Sequence, residues 1–296
     1  MAWRNGSLII ISIILIIIVN FVEAGSGSTP RSNKAIVIDP FNREFSDLGS
    51  YYMPLFNVYN ITIQSIIYNL ERAGYSVDYY KNEDVTLDLL KRIDNEGYGV
   101  IYINTHGFLD SNKVVIFTRE KKELGKEEIY KDDIESGRIG CFELDESLKG
   151  YYYITPEFFY FYGTDGQYSD ALVFIDACFS GNNSSLADVF LKLGAKCFIG
   201  WSCLVGVEHG VKMDGLFFHI ICTRGLTVTQ SLAFTVPDPV SGARLVYFGD
   251  GDLRLNELKI DENLNVDIIF YAAAIIVLGV GVAYKILRLF QARNVP

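Results

Sequence analysis

Two short stretches of this sequence carry residue types that fit one reaction: His106-Gly107, and Cys178 within Asp176-Ala177-Cys178-Phe179-Ser180-Gly181. Each follows an apolar run, Val100–Asn104 in the first case and Ala171–Ile175 in the second, and so sits at the tip of a buried strand. The reaction is attack of a thiol on a carbonyl carbon. A free thiol has a pKa of about 8.5, so an imidazole must help it ionise or protonate the leaving amine. Glycine after the histidine lets the backbone bend until its N–H faces the reacting carbonyl. The N–H groups of Gly107 and Cys178 would then form an oxyanion hole, and losing such a donor costs about a hundredfold in rate or more.

The elements that must deliver these groups alternate along the chain. Ala35–Asp39 reads as a strand. Ile63, Ile66, Ile67, Leu70 and Ala73 recur at helical spacing, and Gly74 stops that helix. Ser76–Tyr80 is a second strand, Thr86 caps a short helix, and Gly99–Asn104 is a strand apolar enough to be covered on both faces. Thr155-Pro156 starts another helix, Leu186–Leu193 forms the next, Lys196–Ile199 returns as strand, Met213–Thr223 as helix and Arg244–Phe248 as strand. Strands separated by helices predict an α/β fold, a three-layer sandwich with a mostly parallel sheet and helices on both faces. In such sheets function gathers beyond the C-terminal strand ends, where His106 and Cys178 lie. The stretch 108–170 breaks the rhythm and reads as an insertion. Its charged run Arg119–Ser136 is expected on the surface, and its aromatic cluster, Tyr151–Tyr153 with Phe158–Tyr162, in the core.

Strand-His-Gly followed by strand-Asp-Ala-Cys-x-Ser-Gly resembles the clan CD cysteine peptidases, which include caspases, metacaspases, legumains, clostripain and gingipains. Asp176–Gly181 is most similar to metacaspase-like and bacterial caspase-like members. Gly194–Trp201 resembles the helix–glycine–strand unit after the nucleophile in gingipain-like domains, and Tyr247–Asp250 their closing strand. The resemblance spans roughly Ala35 to Leu255 and implies the caspase/hemoglobinase sandwich with His106 and Cys178 as catalytic dyad. It implies that Asp176 helps form the pocket for a basic residue before the scissile bond, and that Trp201 and Ser202 build another pocket wall. Asp176 could equally cap the following turn. The long segment between the motifs departs from compact caspases, and a cut near Lys121-Lys122 is the expected activating event.

Other reactive-looking residues read as structural. Cys141, Cys197, Cys203 and Cys222 are inert small hydrophobes or form one or two disulfides. His209-Gly210 follows no strand of the required kind, and His219 among Phe217, Phe218, Ile220 and Ile221 reads as a core histidine. His and Cys lack metal-ligand spacing, and Asp250-Gly251-Asp252 meets Arg254 where a calcium loop needs a ligand. There is no phosphate-binding loop, and no cofactor is expected.

The composition narrows the setting. The chain has 296 residues, a formal charge of −10, and five cysteines, too few for a disulfide scaffold. A pI near 4.9 argues against a nucleic-acid partner. Half the residues are hydrophobic and the mean hydropathy is +0.20, which points to a folded domain with membrane segments. Leu8–Val19 follows Arg4 and covers roughly 18 Å as a helix, short of the ~30 Å hydrocarbon core. With Val22-Glu23-Ala24 behind it, residues 1–24 read as a secretory signal, or as an uncleaved anchor. Residues 25–34 form a flexible leader, 35–255 the peptidase-like domain and 256–267 a juxtamembrane linker. Ile268–Tyr284 is uncharged, and with Lys285–Leu287 it gives a membrane helix over 268–287. Acidic residues before it and Lys285, Arg288 and Arg293 after it place residues 288–296 in the cytoplasm and the domain outside. The expected activity is that of a membrane-anchored, extracytoplasmic cysteine endopeptidase acting on peptide or protein substrates. Its alternatives are a transpeptidase on the same dyad and an inactive peptide-binding module.

Overall fold

Residues 28–44, 51, 53–123, 125–144 and 147–256 are described by a computed structural model of the chain. Four continuous apolar runs become the buried centre of a six-stranded sheet. They are β1 (Lys34–Asp39), β3 (Val100–Asn104), β8 (Leu172–Asp176) and β9 (Cys197–Trp201). With β2 (Ser76–Lys81) and β10 (Leu245–Gly249) the strand order is β10-β9-β8-β3-β1-β2. All pairings are parallel except β10 with β9. Strand β1 pairs with β2 on one side and β3 on the other, and the chain then moves outward through β8 and β9. The β1/β3 junction is therefore the switch point at which doubly wound sheets open a crevice.

Helices cover both faces because the strands are apolar on both. The helices Met53–Arg72 and Val207–Arg224 pack on one face around Val37, Tyr102, Phe174 and Trp201. On the other, Leu87–Leu90, Pro156–Tyr162 and Ser185–Lys192 close over Ile36, Ile101, Val173 and Phe198. Thr86 caps the first of these by accepting a hydrogen bond from the Leu89 N–H.

The segment between the two motifs is more than a surface excursion. It forms a second, antiparallel sheet of β4 (Gly107–Asp110), β5 (Lys113–Lys121), β6 (Ile139–Cys141) and β7 (Tyr151–Ile154), in the order β4-β5-β7-β6. Val114, Ile116, Tyr152 and Ile154 join the core beneath the central sheet. The charged run is also partly interior. Asp133 is buried and takes hydrogen bonds from Arg138 Nε (2.6 Å), the Tyr162 hydroxyl (2.7 Å) and Lys91 Nζ (3.1 Å), so its carboxyl is held below the usual range despite burial. Lys121 and Lys122 lie at the end of β5.

Three other expectations meet the structure. All five cysteines are free, so no disulfide pairs Cys141, Cys197, Cys203 or Cys222. His219 is exposed on its helix rather than buried, because the apolar stripe runs through its neighbours Phe217, Phe218, Ile220 and Ile221. Among the described residues no helix is long and apolar enough to cross a membrane. The signal, membrane helix and tail expected at 1–24, 268–287 and 288–296 lie outside the described residues.

Candidate active site

At the C-terminal edge of the central sheet, Asn104 on β3 stands opposite Asp176 on β8. The chain leaves both strands at that point, and the Thr105 N–H donates to the Asp176 carbonyl at 2.8 Å, tying the two exits together. One residue on is His106, and two residues on is Cys178. Both line a single pocket with about 440 Å³ of empty volume, together with Phe41, Glu44, Tyr59, Asn104, Asp176, Val205 and Val207.

Gly107 makes this proximity possible. A Cβ placed on it would lie 2.6 Å from the Cys178 carbonyl oxygen and 3.0 Å from the Ala177 Cβ. The Phe117 N–H donates to the His106 carbonyl at 3.0 Å, so Gly107, opposite Ile116, occupies a non-hydrogen-bonded position of the ladder. Its N–H therefore points away from β5 along the open edge of β4, free to serve an oxyanion.

The imidazole is oriented by a residue the motifs do not include. His106 Nε2 meets Glu44 Oε2 at 2.9 Å, and because a carboxylate only accepts, Nε2 carries the hydrogen of that bond. The two side chains are 31% and 23% exposed. Phe41 packs edge-on against the ring at 4.7 Å. The Cys178 thiol does not bond to the imidazole; it donates to the Val205 carbonyl at 3.6 Å. Burial, with the charge of Asp176 acting in the same direction, pushes its pKa above the ordinary thiol value.

The pocket floor is acidic. Asp176 is 6% exposed, and burial raises its carboxyl to about 6, opposed by the neighbouring Asp214 carboxyl and by His106. Asp214, from the helix Val207–Arg224, is fully buried, and its pKa lies well above the carboxylate range through burial and the charge of Asp176. It accepts from the Tyr102 hydroxyl at 2.8 Å on Oδ2, while Oδ1 faces no donor, as expected of a carboxyl that keeps its own proton and gives it to Asp176. Burial thus pushes both carboxyls upward, and Asp176 is the member that lines the pocket.

His106, Gly107, Asp176 and Cys178 thus converge on one rim. Trp201 and Ser202 do not. Trp201 is 0% exposed at the end of β9, inside the core, where no substrate can touch it. The Ser202 hydroxyl accepts from the Arg244 N–H at 3.0 Å and its carbonyl from Asn182 Nδ2 at 2.9 Å, which fastens the strand exit rather than walling the pocket. The second His-Gly, His209-Gly210, lies in the first turn of its helix, with His209 Nε2 at 3.0 Å from the Val236 carbonyl. Among the described residues no three His, Cys, Asp or Glu side chains gather as metal ligands.

Fold and site define an α/β protein with a mostly parallel sheet and a Cys–His–carboxylate pocket beyond the C-terminal ends of β1, β3 and β8. No family model matches the sequence, and no curated protein matches it. A solved complex of the Porphyromonas gingivalis RgpB pro- and mature domains is similar over 80% of this chain and 52% of that one, at 12% identity and a TM-score of 0.46. This chain spans about half the length of that one.

Proposed function

We propose that this protein is a cysteine endopeptidase of the clan CD type, with Cys178 as nucleophile and His106 as general acid–base. The reading rests chiefly on one observation: thiol and imidazole, each leaving the tip of an adjacent parallel strand, line the same pocket. On this reading a peptide carbonyl enters between them, with Gly107 and Cys178 N–H groups toward its oxygen. Cys178 Sγ bonds to the carbonyl carbon and its proton passes to His106 Nδ1. The C–N bond then breaks, the leaving nitrogen takes that proton, and a thioester remains. Water, deprotonated by His106, releases the acid and restores the thiol. Glu44 holds the ring in the tautomer these transfers need.

The charge of Asp176 on the pocket floor favours Arg or Lys before the scissile bond. The apolar segments at Leu8–Val19 and Ile268–Tyr284, with the positive residues after the latter, support a location outside the cytoplasm with a C-terminal membrane helix as the anchor. A fluorogenic peptide library varied at the cleavage position tests the proposal, together with a thiol-directed peptidyl probe. Cleavage after Arg and Lys, with labelling lost in Cys178→Ala, is the expected result. A folded protein that the probe never labels would leave only a peptide-binding module, and indifference to charge would remove the role given to Asp176. Aminolysis products on adding an amine nucleophile would mark a transpeptidase instead.

A further inference from the structure

The buried carboxylate Asp39, at the end of β1, touches neither His106 nor Cys178, yet it anchors the segment that holds the ring. It is 0% exposed and receives three donors: the Tyr59 hydroxyl on Oδ1 at 2.5 Å, and Asn42 Nδ2 and the Tyr79 hydroxyl on Oδ2 at 2.9 and 3.2 Å. The two hydroxyls can donate or accept, whereas Asn42 Nδ2 can only donate, so a carboxylate, with an acceptor on each oxygen, satisfies all three at once.

Asn42 is the middle of the turn that follows. On one side of it Phe41 lies edge-on to the His106 ring at 4.7 Å, with the Arg119 guanidinium at 5.3 Å from the Phe41 ring. On the other, the Arg43 N–H donates to Asn82 Oδ1 at 3.0 Å, and the Glu44 N–H closes the turn onto the Phe41 carbonyl at 3.0 Å. Glu44 then reaches His106 Nε2. Phe41 and Glu44, which meet the imidazole at closer range than the Phe117 ring at 6.3 Å, therefore hang on a turn whose central side chain is fixed by Asp39 and by the Tyr79 hydroxyl that Asp39 also holds. Tyr59 carries the same anchor into the pocket wall.

We propose that Asp39 is the positioning residue for His106, acting through Asn42 to hold Phe41 and Glu44 against the ring. The inference rests on the proposed peptidase reading of His106 and Cys178. It assigns Asp39 to orientation of the general acid–base rather than to substrate contact.

The test is a donor–acceptor exchange. Asp39→Asn leaves one acceptor oxygen for three groups: with its N–H₂ toward Asn42 two donors meet, and with its N–H₂ toward Tyr59 that hydroxyl must turn round to accept, all with almost no change of volume. Adding Asn42→Asp restores the bond with its polarity reversed. With the full chain and an Arg- or Lys-containing fluorogenic peptide, D39N should lower kcat about tenfold with KM nearly unchanged, and D39N/N42D should recover most of that loss. With three histidines in the chain, the His106 ring signals can be followed by NMR. They should move in D39N as they do in E44Q, and return in the double variant. Loss of activity without recovery, or His106 signals unmoved in D39N, would overturn the proposal, as would wild-type kcat in D39N. The peptidase reading is judged separately by Cys178→Ala and His106→Ala in the same assay: activity that survives both variants defeats that reading, whereas activity lost in both while D39N behaves as wild type defeats only the role of Asp39.

Discussion

Replacing Gly107 by alanine tests whether the two strand exits must touch for the site to exist. The substitution keeps the backbone N–H, so any loss of activity comes from displacement and not from a missing oxyanion donor. The new methyl would stand 2.6 Å from the Cys178 carbonyl oxygen, 3.0 Å from the Ala177 Cβ and 3.2 Å from the Val115 carbonyl oxygen. A carbon and a carbonyl oxygen settle at about 3.3 Å, so the Cys178 loop and the His106 strand must separate by roughly 0.7 Å. Backbone surrounds the methyl, and no flexible side chain can swing aside to relieve it. Misplacement by ~1 Å at a reacting centre costs about a hundredfold, so kcat/KM should fall on that order. Overpacking of this kind costs about 1–3 kcal/mol, and at ~2–4 °C per kcal/mol for a domain of this size the melting temperature should drop by roughly 2–12 °C. Steady-state turnover of the best fluorogenic peptide and a thermal melt, run on the same preparation, read both quantities. A folded G107A protein with wild-type kcat/KM would show that the Cys178 and His106 loops do not need this contact, and the geometric argument for the dyad would fail.

Stability should depend on pH through the buried floor. Burial raises Asp39 and Asp176 to about 6, above the ~3.9 of an unfolded carboxyl. Between pH ~4 and ~6 the folded chain therefore keeps protons that the unfolded chain has lost. The stability they confer is fully present below pH ~4 and is lost as pH rises through about 6, on the order of 3 kcal/mol for Asp39. Denaturant titrations at several pH values should show a shallower fall for D39N than for wild type; identical slopes would refute the shift. The raised thiol pKa makes Cys178 a slow nucleophile toward small reagents in the absence of peptide. Its alkylation by iodoacetamide, followed by mass spectrometry of the peptide carrying it, should keep accelerating above pH ~8.5, where an ordinary thiol is half ionised. A plateau below that pH would contradict burial of the sulfur.

The parts of the fold legible in the sequence are those where a short run is apolar throughout. Ala35–Asp39, Val100–Asn104 and Leu172–Asp176 must be covered on both faces, which fixes them as central strands and brings the residues after them to one edge. His106 and Cys178 are found by that logic alone. The second sheet escapes it because β4, β6 and β7 are only three or four residues long, too short to show a period, and β5 runs from its buried Val114–Thr118 straight into the charged Arg119–Lys121. Its first hairpin turns on Ser111-Asn112, with φ of 49° and 66°, a two-residue turn that the composition of the segment conceals. Glu44 leaves no local trace at all, since a carboxylate in a turn looks like any surface charge until the fold brings it to His106. Asp214 did leave one. It interrupts the apolar stripe Val211, Phe217, Phe218 and Ile221 of its helix, and a carboxyl on a buried face must find a partner. The pocket role expected of Trp201 shows the converse. A position at a strand end places a side chain near the rim, but alternation along β9 decides whether it faces the crevice or the core.

The electrostatics of the floor and of the nucleophile are one problem. The thiol is held above its ordinary pKa first by burial and then by the charge of Asp176. That same charge is what an Arg or Lys side chain would meet on entering the pocket. A cation seated on Asp176 cancels the field that opposes ionisation of Cys178, whereas a neutral side chain in the same place leaves it standing. Under the proposed reading, charge recognition is therefore expressed in the reactivity of the sulfur as well as in binding. Selectivity for basic residues would appear in kcat and not in KM alone, because the free enzyme keeps its nucleophile protonated and turned toward Val205 until the right charge arrives.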